Sequence, residues 1–163
     1  MIRPAHPADA EAIASIWNPY IRDTTVTFTT EQKSPQGIAS LIAERQSAGW
    51  LFLVAADQDQ CIRGLATYAP FRTGPGYARS FEHTVLLHPG ARGKGLGRAL
   101  MTALLAHATA ASAHVMIGGI SSENPDAAAF HAAIDFTQIA RLPEVGYKFG
   151  RYLDLLIFQK ILS

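Results

Sequence analysis

The segment Arg92-Gly93-Lys94-Gly95-Leu96-Gly97-Arg98 constrains this chain more than any other. It follows the apolar run Phe81 to Leu87, which reads as a strand ended by His88-Pro89-Gly90. It runs into Leu96, Ala99, Leu100, Ala103, Leu104 and His107, one face of a long helix. A glycine-rich turn between strand and helix has a physical use. The first N–H groups of a helix lack partners inside it, and they stand at the positive end of its dipole. Glycines let those groups approach an anion without side-chain obstruction, which makes a diphosphate site. Arg92, Lys94 and Arg98 add mobile positive charge. No Gly-Lys-Ser/Thr ending is present, so the nucleoside triphosphatase loop does not fit, and the even spacing of Gly93, Gly95 and Gly97 does not give the dinucleotide fingerprint. Taken alone, the segment also fits a flexible loop leading into a helix.

The other elements frame this turn. Ile2-Arg3-Pro4 reads as a short opening strand. Ile13, Ile16, Trp17, Tyr20 and Ile21 share one helical face. Ser34 caps a second helix with Pro35 at its first position, Ile38, Leu41 and Ile42 on its apolar face, and Gly49 at its end. Residues 51–56 and 62–68 form a strand hairpin around a polar turn. Val115 to Ile117, Phe136 to Ala140 and Tyr152 to Ile161 are further strands, and Asn124 to Ala133 is a helix. Early hairpins followed by alternation predict an α/β (α+β) fold in one domain, residues 1–163, with a mixed sheet flanked by helices on both faces.

Composition narrows the partners. The chain has 163 residues, 48% of them hydrophobic and 17% charged, with net charge +1 and no long basic run. That argues for a globular domain and against nucleic acid or an anionic membrane as the main partner. No apolar run is long enough to span a bilayer. Cys61 is the only cysteine, which predicts a reducing, cytoplasmic setting and a packed strand thiol.

The Arg92–Gly97 stretch resembles the Arg/Gln-x-x-Gly-x-Gly/Ala motif of the GNAT acyltransferase superfamily. The downstream segment Glu123-Asn124-Pro125-Asp126-Ala127-Ala128-Ala129-Phe130-His131 and the order of elements are similar over nearly the whole chain. Within that family the phosphinothricin and methionine sulfoximine (or sulfone) acetyltransferases are the most alike. They share stretches similar to Phe81-Glu82-His83-Thr84-Val85, His114-Val115-Met116-Ile117 and the run from Leu142 to Asp154. The resemblance implies a largely antiparallel sheet and acetyl-CoA as co-substrate, with no metal. It implies that Arg92, Gly93, Lys94, Gly95, Leu96, Gly97 and Arg98 hold the diphosphate. It further implies that Val85, Leu86 and Leu87 bond the pantetheine arm by their backbone, with Asn124 beside it. The acceptor would be a small amino-acid-like amine, and the protein a homodimer whose C-terminal region helps to form the acceptor pocket.

Acetyl transfer to an amine requires removal of a proton, directly or through water. Glu82 is the candidate base, since burial in an apolar strand would raise its pKa. The other reading is a strand-edge glutamate in a salt bridge. Alternation turns His83 to the opposite face unless a bulge intervenes, and it reads as a packed histidine with a satisfied hydrogen bond. The resemblance offers His131 as a protonated donor to the leaving sulfur; the other reading is a histidine that touches co-substrate without catalysis. Arg72, with Thr73 and Gly74 in its loop, is the candidate clamp for an acceptor carboxylate. Phe28 is either core or pocket wall, and Thr84 completes the acceptor side. Asp135 stands where the family has glycine, and aspartate tolerates a left-handed backbone better than most residues. A CoA-binding module without turnover and an N-terminal peptide acetyltransferase are the competing functional readings.

Overall fold

Seven strands form one sheet in the order β1-β2-β3-β4-β5-β7-β6 in a computed structural model that describes residues 1–163. The strands are β1 (Ile2–Pro4), β2 (Phe52–Ala56), β3 (Ile62–Pro70), β4 (Ser80–Leu87), β5 (Val115–Ser121), β6 (Thr137–Lys148) and β7 (Arg151–Ile161). The helices are α1 (Ala10–Asp23), α2 (Pro35–Ser47), α3 (Leu96–Ala110) and α4 (Pro125–Ala133). Every pairing is antiparallel except that of β4 with β5.

Period-2 alternation along the strands feeds two cores. Phe52, Val54 and Leu65 face α1 and α2, where they meet Ile13, Ile16, Trp17, Tyr20, Ile21, Ile38 and Ile42. Leu53, Ala55, Ala66 and Tyr68 face the other way, toward Leu100, Met101 and Leu104 of α3. Helices thus cover both faces. The caps follow the sequence: Ser34 Oγ accepts the Gly37 N–H at 3.0 Å, and Asn124 Oδ1 accepts the Ala127 N–H at 3.2 Å. Gly49 at φ +78° and Asp135 at φ +66° adopt the left-handed turns that follow α2 and α4.

Three expectations need correction. Cys61 is exposed rather than packed. It lies in the β2–β3 turn, where Asp57 Oδ1 accepts the N–H groups of both Asp59 and Cys61. Strand β5 runs on to Ser121, beyond Ile117, because Gly118 and Gly119 weaken a strand pattern without ending the strand. Strand β6 extends to Lys148, with a register shift between Leu142 and Gly146 that absorbs Pro143. Its burial pattern is almost wholly exposed, so apolar alternation could not mark it.

Candidate active site

The two central strands part company. β4 pairs with β5 only from Ser80 to Glu82, while it follows β3 without a register shift from Phe81 to Leu87. β4 therefore carries no bulge against β3. Beyond Glu82 one edge of β4 has no strand partner. The His88 N–H donates to the Arg63 carbonyl across the β3 side. Alternation then turns the N–H and C=O of Val85 and Leu87 toward the open edge. Tyr20 Oη, from α1, donates to the Leu87 carbonyl at 2.5 Å.

Two adjoining cavities occupy this gap. One, about 320 Å³, runs along Val85, Leu86 and Leu87 to Arg92, Gly93 and Gly97. The other, about 280 Å³, is walled by Glu82, His83, Thr84, Phe28, Gly119 and Leu155, among others. Asn124 borders both. Its Oδ1 is spent on the α4 cap, which leaves the amide Nδ2 free for a ligand.

The glycines of the turn have different reasons. Gly93 and Gly95 adopt φ +74° and +76°, and open space lies where a side chain would project. Gly95 caps α3, so the next N–H groups face outward from the helix start. Gly97 serves packing instead, since a Cβ there would stand 3.3 Å from the Phe130 ring of α4. The surrounding charge is less mobile than expected. Arg92 Nη2 donates to Tyr20 Oη at 2.7 Å, and Arg98 Nη2 donates to the Ala133 carbonyl at 3.0 Å. Lys94 lines a neighbouring groove with Arg63 and His88.

Glu82 opens to solvent within the cavity and makes no ion pair. The surrounding walls displace enough water to raise its carboxyl pKa. His83 and His131 are both buried, with Nε2 facing Nε2 at 2.9 Å. His131 Nδ1 lies 2.7 Å from the Ala127 carbonyl and must donate to it. In neutral His131, Nε2 is then an acceptor, so the network assigns the shared proton to His83 Nε2. Burial and the neighbouring His131 press the His83 pKa down to about 3; the Ile117 backbone opposes this, though it is too poorly placed to make a hydrogen bond to Nδ1. Burial also lowers the His131 pKa. His131 thus has its one N–H committed to Ala127 and no proton aimed at a leaving sulfur, so the geometry does not support the acid role. The expectation for His83 needs adjusting too: it is packed, but its Nδ1 has no hydrogen-bond partner.

Phe28 lines the cavity. Arg72, Thr73 and Gly74 are exposed on the β3–β4 loop and do not line it; the Arg72 guanidinium rests 5.4 Å from the Phe71 ring centre.

The chain matches the Acetyltransferase (GNAT) family over residues 13–136. It belongs to that family. This GNAT acetyltransferase is 35% identical over 158 residues to an L-methionine sulfoximine/L-methionine sulfone acetyltransferase of Salmonella typhimurium, covering 97% of the chain and 92% of the relative. It is 35% identical over 161 residues to a phosphinothricin N-acetyltransferase of Streptomyces coelicolor, covering 98% and 94%. Among solved structures, a GNAT superfamily phosphinothricin acetyltransferase of Sinorhizobium meliloti in complex with acetyl-CoA superposes with a TM-score of 0.95. That pair is 29% identical and covers 100% of this chain and 88% of the other.

Sequence reasoning missed several residues of this cavity. Trp17 reads as plain helix core, yet it reaches the cavity wall. Gly118 and Gly119 mark the floor. A Cβ on Gly118 would meet the His83 ring at 2.8 Å, and one on Gly119 would stand 3.4 Å from Glu82 Oε1. Two adjacent glycines inside an apolar strand are the one signal that was available for them.

Proposed function

We propose that this GNAT enzyme transfers acetyl from acetyl-CoA to the amino group of a small amino-acid-like acceptor of the methionine sulfoximine, sulfone or phosphinothricin type. The observation that carries the reading is the parting of β4 from β5 beside Glu82. An extended arm can bond an unpaired strand edge there, and a carboxylate stands at the inner end. The Val85 N–H and C=O and the Leu87 N–H would hold the arm, and Asn124 Nδ2 would join them. The backbone from Gly93 to Arg98 would hold the diphosphate. Bound there, acetyl-CoA supplies an acyl thioester open to attack by an amine.

Glu82 takes the proton from the acceptor's ammonium, directly or through cavity water. Its raised pKa makes the carboxylate a better match for that proton. Val26, Thr27 and Phe28 form the wall that meets the acceptor's side chain. No cation lines the cavity, so an acceptor carboxylate would be read at the rim. Arg72 suits that role, being exposed, without a carboxylate partner, and on the loop just beyond Ala69, the register partner of Glu82.

The enzyme works as a homodimer, and residues 1–163 act as one catalytic domain. Leu142, Val145, Tyr147, Phe149 and Tyr152 are all exposed large apolar side chains of the β6–β7 hairpin, at the end of the sheet. Such a patch is rarely left bare on a monomer. No helix is long and apolar enough to cross a membrane, and the single cysteine suits a cytoplasmic setting.

The test is acetyl-CoA consumption with the three named acceptors, the common amino acids and their decarboxylated amines. Faster turnover of acceptors bearing an α-amino acid group than of their decarboxylated amines is expected. Binding of acetyl-CoA without turnover of any free amine would leave a non-catalytic binding module instead.

A further inference from the structure

The segment joining α1 to α2 contains no helix or strand, and from Thr24 to Lys33 it takes part in no backbone–backbone hydrogen bond. Three of its residues, Val26, Thr27 and Phe28, nevertheless wall the cavity beside Glu82. Its main chain is held by side chains alone: Thr24 Oγ1 accepts the Val26 N–H and Thr29 Oγ1 the Glu31 N–H within the loop, and the remaining bonds reach in from elsewhere. Asn18 holds the far end through both the N–H and the C=O of Lys33. Glu123 accepts from Thr25 Oγ1 at 2.9 Å. Neither of these bonds the main chain of the cavity wall itself.

Lys148, the last residue of β6, does. Its Nζ donates to the Thr24 carbonyl at 2.6 Å and to the Thr27 carbonyl at 2.7 Å. These two carbonyls bracket Val26 and precede Phe28. Lys148 is 1% exposed, and no carboxylate stands within ion-pair distance of it. Two residues back, Gly146 is buried on the same face, and a Cβ there would overlap the Phe28 ring. Val145 and Tyr147, the alternate residues, point outward and are exposed. The inner face of this hairpin is therefore shaped to one loop, with a donor for its carbonyls and a gap for its aromatic ring.

An ammonium buried without an anion is costly. An apolar side chain of similar volume would fill the space without that cost. What the lysine adds is a fixed backbone for a loop that has no backbone–backbone bonds of its own. We infer that Lys148 is a positioning residue for the acceptor: with Gly146 it fixes the Thr24–Phe28 loop and so sets the cavity wall. It lines neither of the two cavities. This role rests on the reading that the acceptor enters the cavity beside Glu82.

Lys148→Met keeps the length of the side chain and removes its donors. The acceptor KM should rise about tenfold or more, with kcat at saturating acceptor and the acetyl-CoA Kd within about twofold of wild type. Gly146→Ala displaces the Phe28 ring with Lys148 intact and should give the same split. It decides alone if Lys148→Met does not fold. An unchanged acceptor KM in the folded variants overturns the inference, and so does a parallel loss of acetyl-CoA affinity, which would mark a general structural role. Glu82→Gln, assayed alongside, separates the two levels. Full turnover in that variant removes the site reading on which the inference stands. Lost turnover there, with an unchanged acceptor KM in the others, removes only the role of Lys148.

Discussion

His83 Nε2 and His131 Nε2 lie 2.9 Å apart between β4 and α4, in buried rings inclined by only 25°. One proton fits between them, and a second would set two N–H groups head to head beside a buried cation. An unfolded histidine binds its proton near pH 6.5, whereas folded His83 resists it down to about 3. Between these values the unfolded state holds more protons, so stability is full above about pH 6.5 and falls as pH falls. From His83 alone the loss by pH 5 is about 2 kcal/mol, or roughly 4–8 °C in Tm. His83→Phe removes the titration, and its Tm should fall less between pH 7 and pH 5 than that of wild type. An equal fall in both proteins, followed by scanning calorimetry, would show that the pair is not the source.

Gly95 carries φ +76° at the start of α3, and its missing side chain leaves open space. Gly95→Val combines a backbone a β-branched residue resists with a side chain in the proposed diphosphate path. Acetyl-CoA affinity should fall at least about tenfold, since approach of the anion to the N–H groups is lost. Titration calorimetry giving wild-type affinity would move the diphosphate elsewhere.

Tyr147, Phe149 and Tyr152 are 60%, 56% and 65% exposed on one hairpin. Tyr147→Ala combined with Phe149→Ala should shift the sedimenting species from two chain masses toward one. The acceptor KM should rise in the same variant while acetyl-CoA binding is kept, because Gly146 and Lys148 lie on the reverse of that hairpin. Wild type sedimenting as a fully active monomer would refute the assembly.

Arg72 has no carboxylate partner and lies outside the cavity lining. If it reads the acceptor carboxylate from the rim, Arg72→Ala should weaken amino acids about tenfold more than their decarboxylated amines, the scale of one charge-assisted contact. Steady-state kinetics with matched acceptor pairs makes the comparison. Equal losses for both would assign Arg72 to the loop alone.

Local patterns of this chain were legible where one element carries its own signal. Ser34-Pro35, Asn124 and the glycine-rich turn announce helix starts, and the α1 face from Ile13 to Ile21 is buried as its spacing requires. The sheet's parting beside Glu82 was not legible, because it depends on β4 and β5, which are distant in sequence and share only a short register. The state of the histidine pair was hidden for the same reason: His131 Nδ1–H goes to Ala127 one turn back in α4, but tertiary packing alone brings its Nε2 to His83. Lys148 showed only as a cation in a stretch too polar for core, while the carbonyls it holds lie at Thr24 and Thr27.

Glu82 carries the central claim, and the pH–rate profile of Glu82→Gln tests it most directly. The amide keeps the shape and loses the basicity. With a good acceptor, kcat/KM should fall by roughly 10²–10⁴, and the acidic limb assigned to the raised carboxyl should vanish while acetyl-CoA still binds. A Glu82→Gln enzyme with wild-type rates and an unchanged acidic limb would contradict the account.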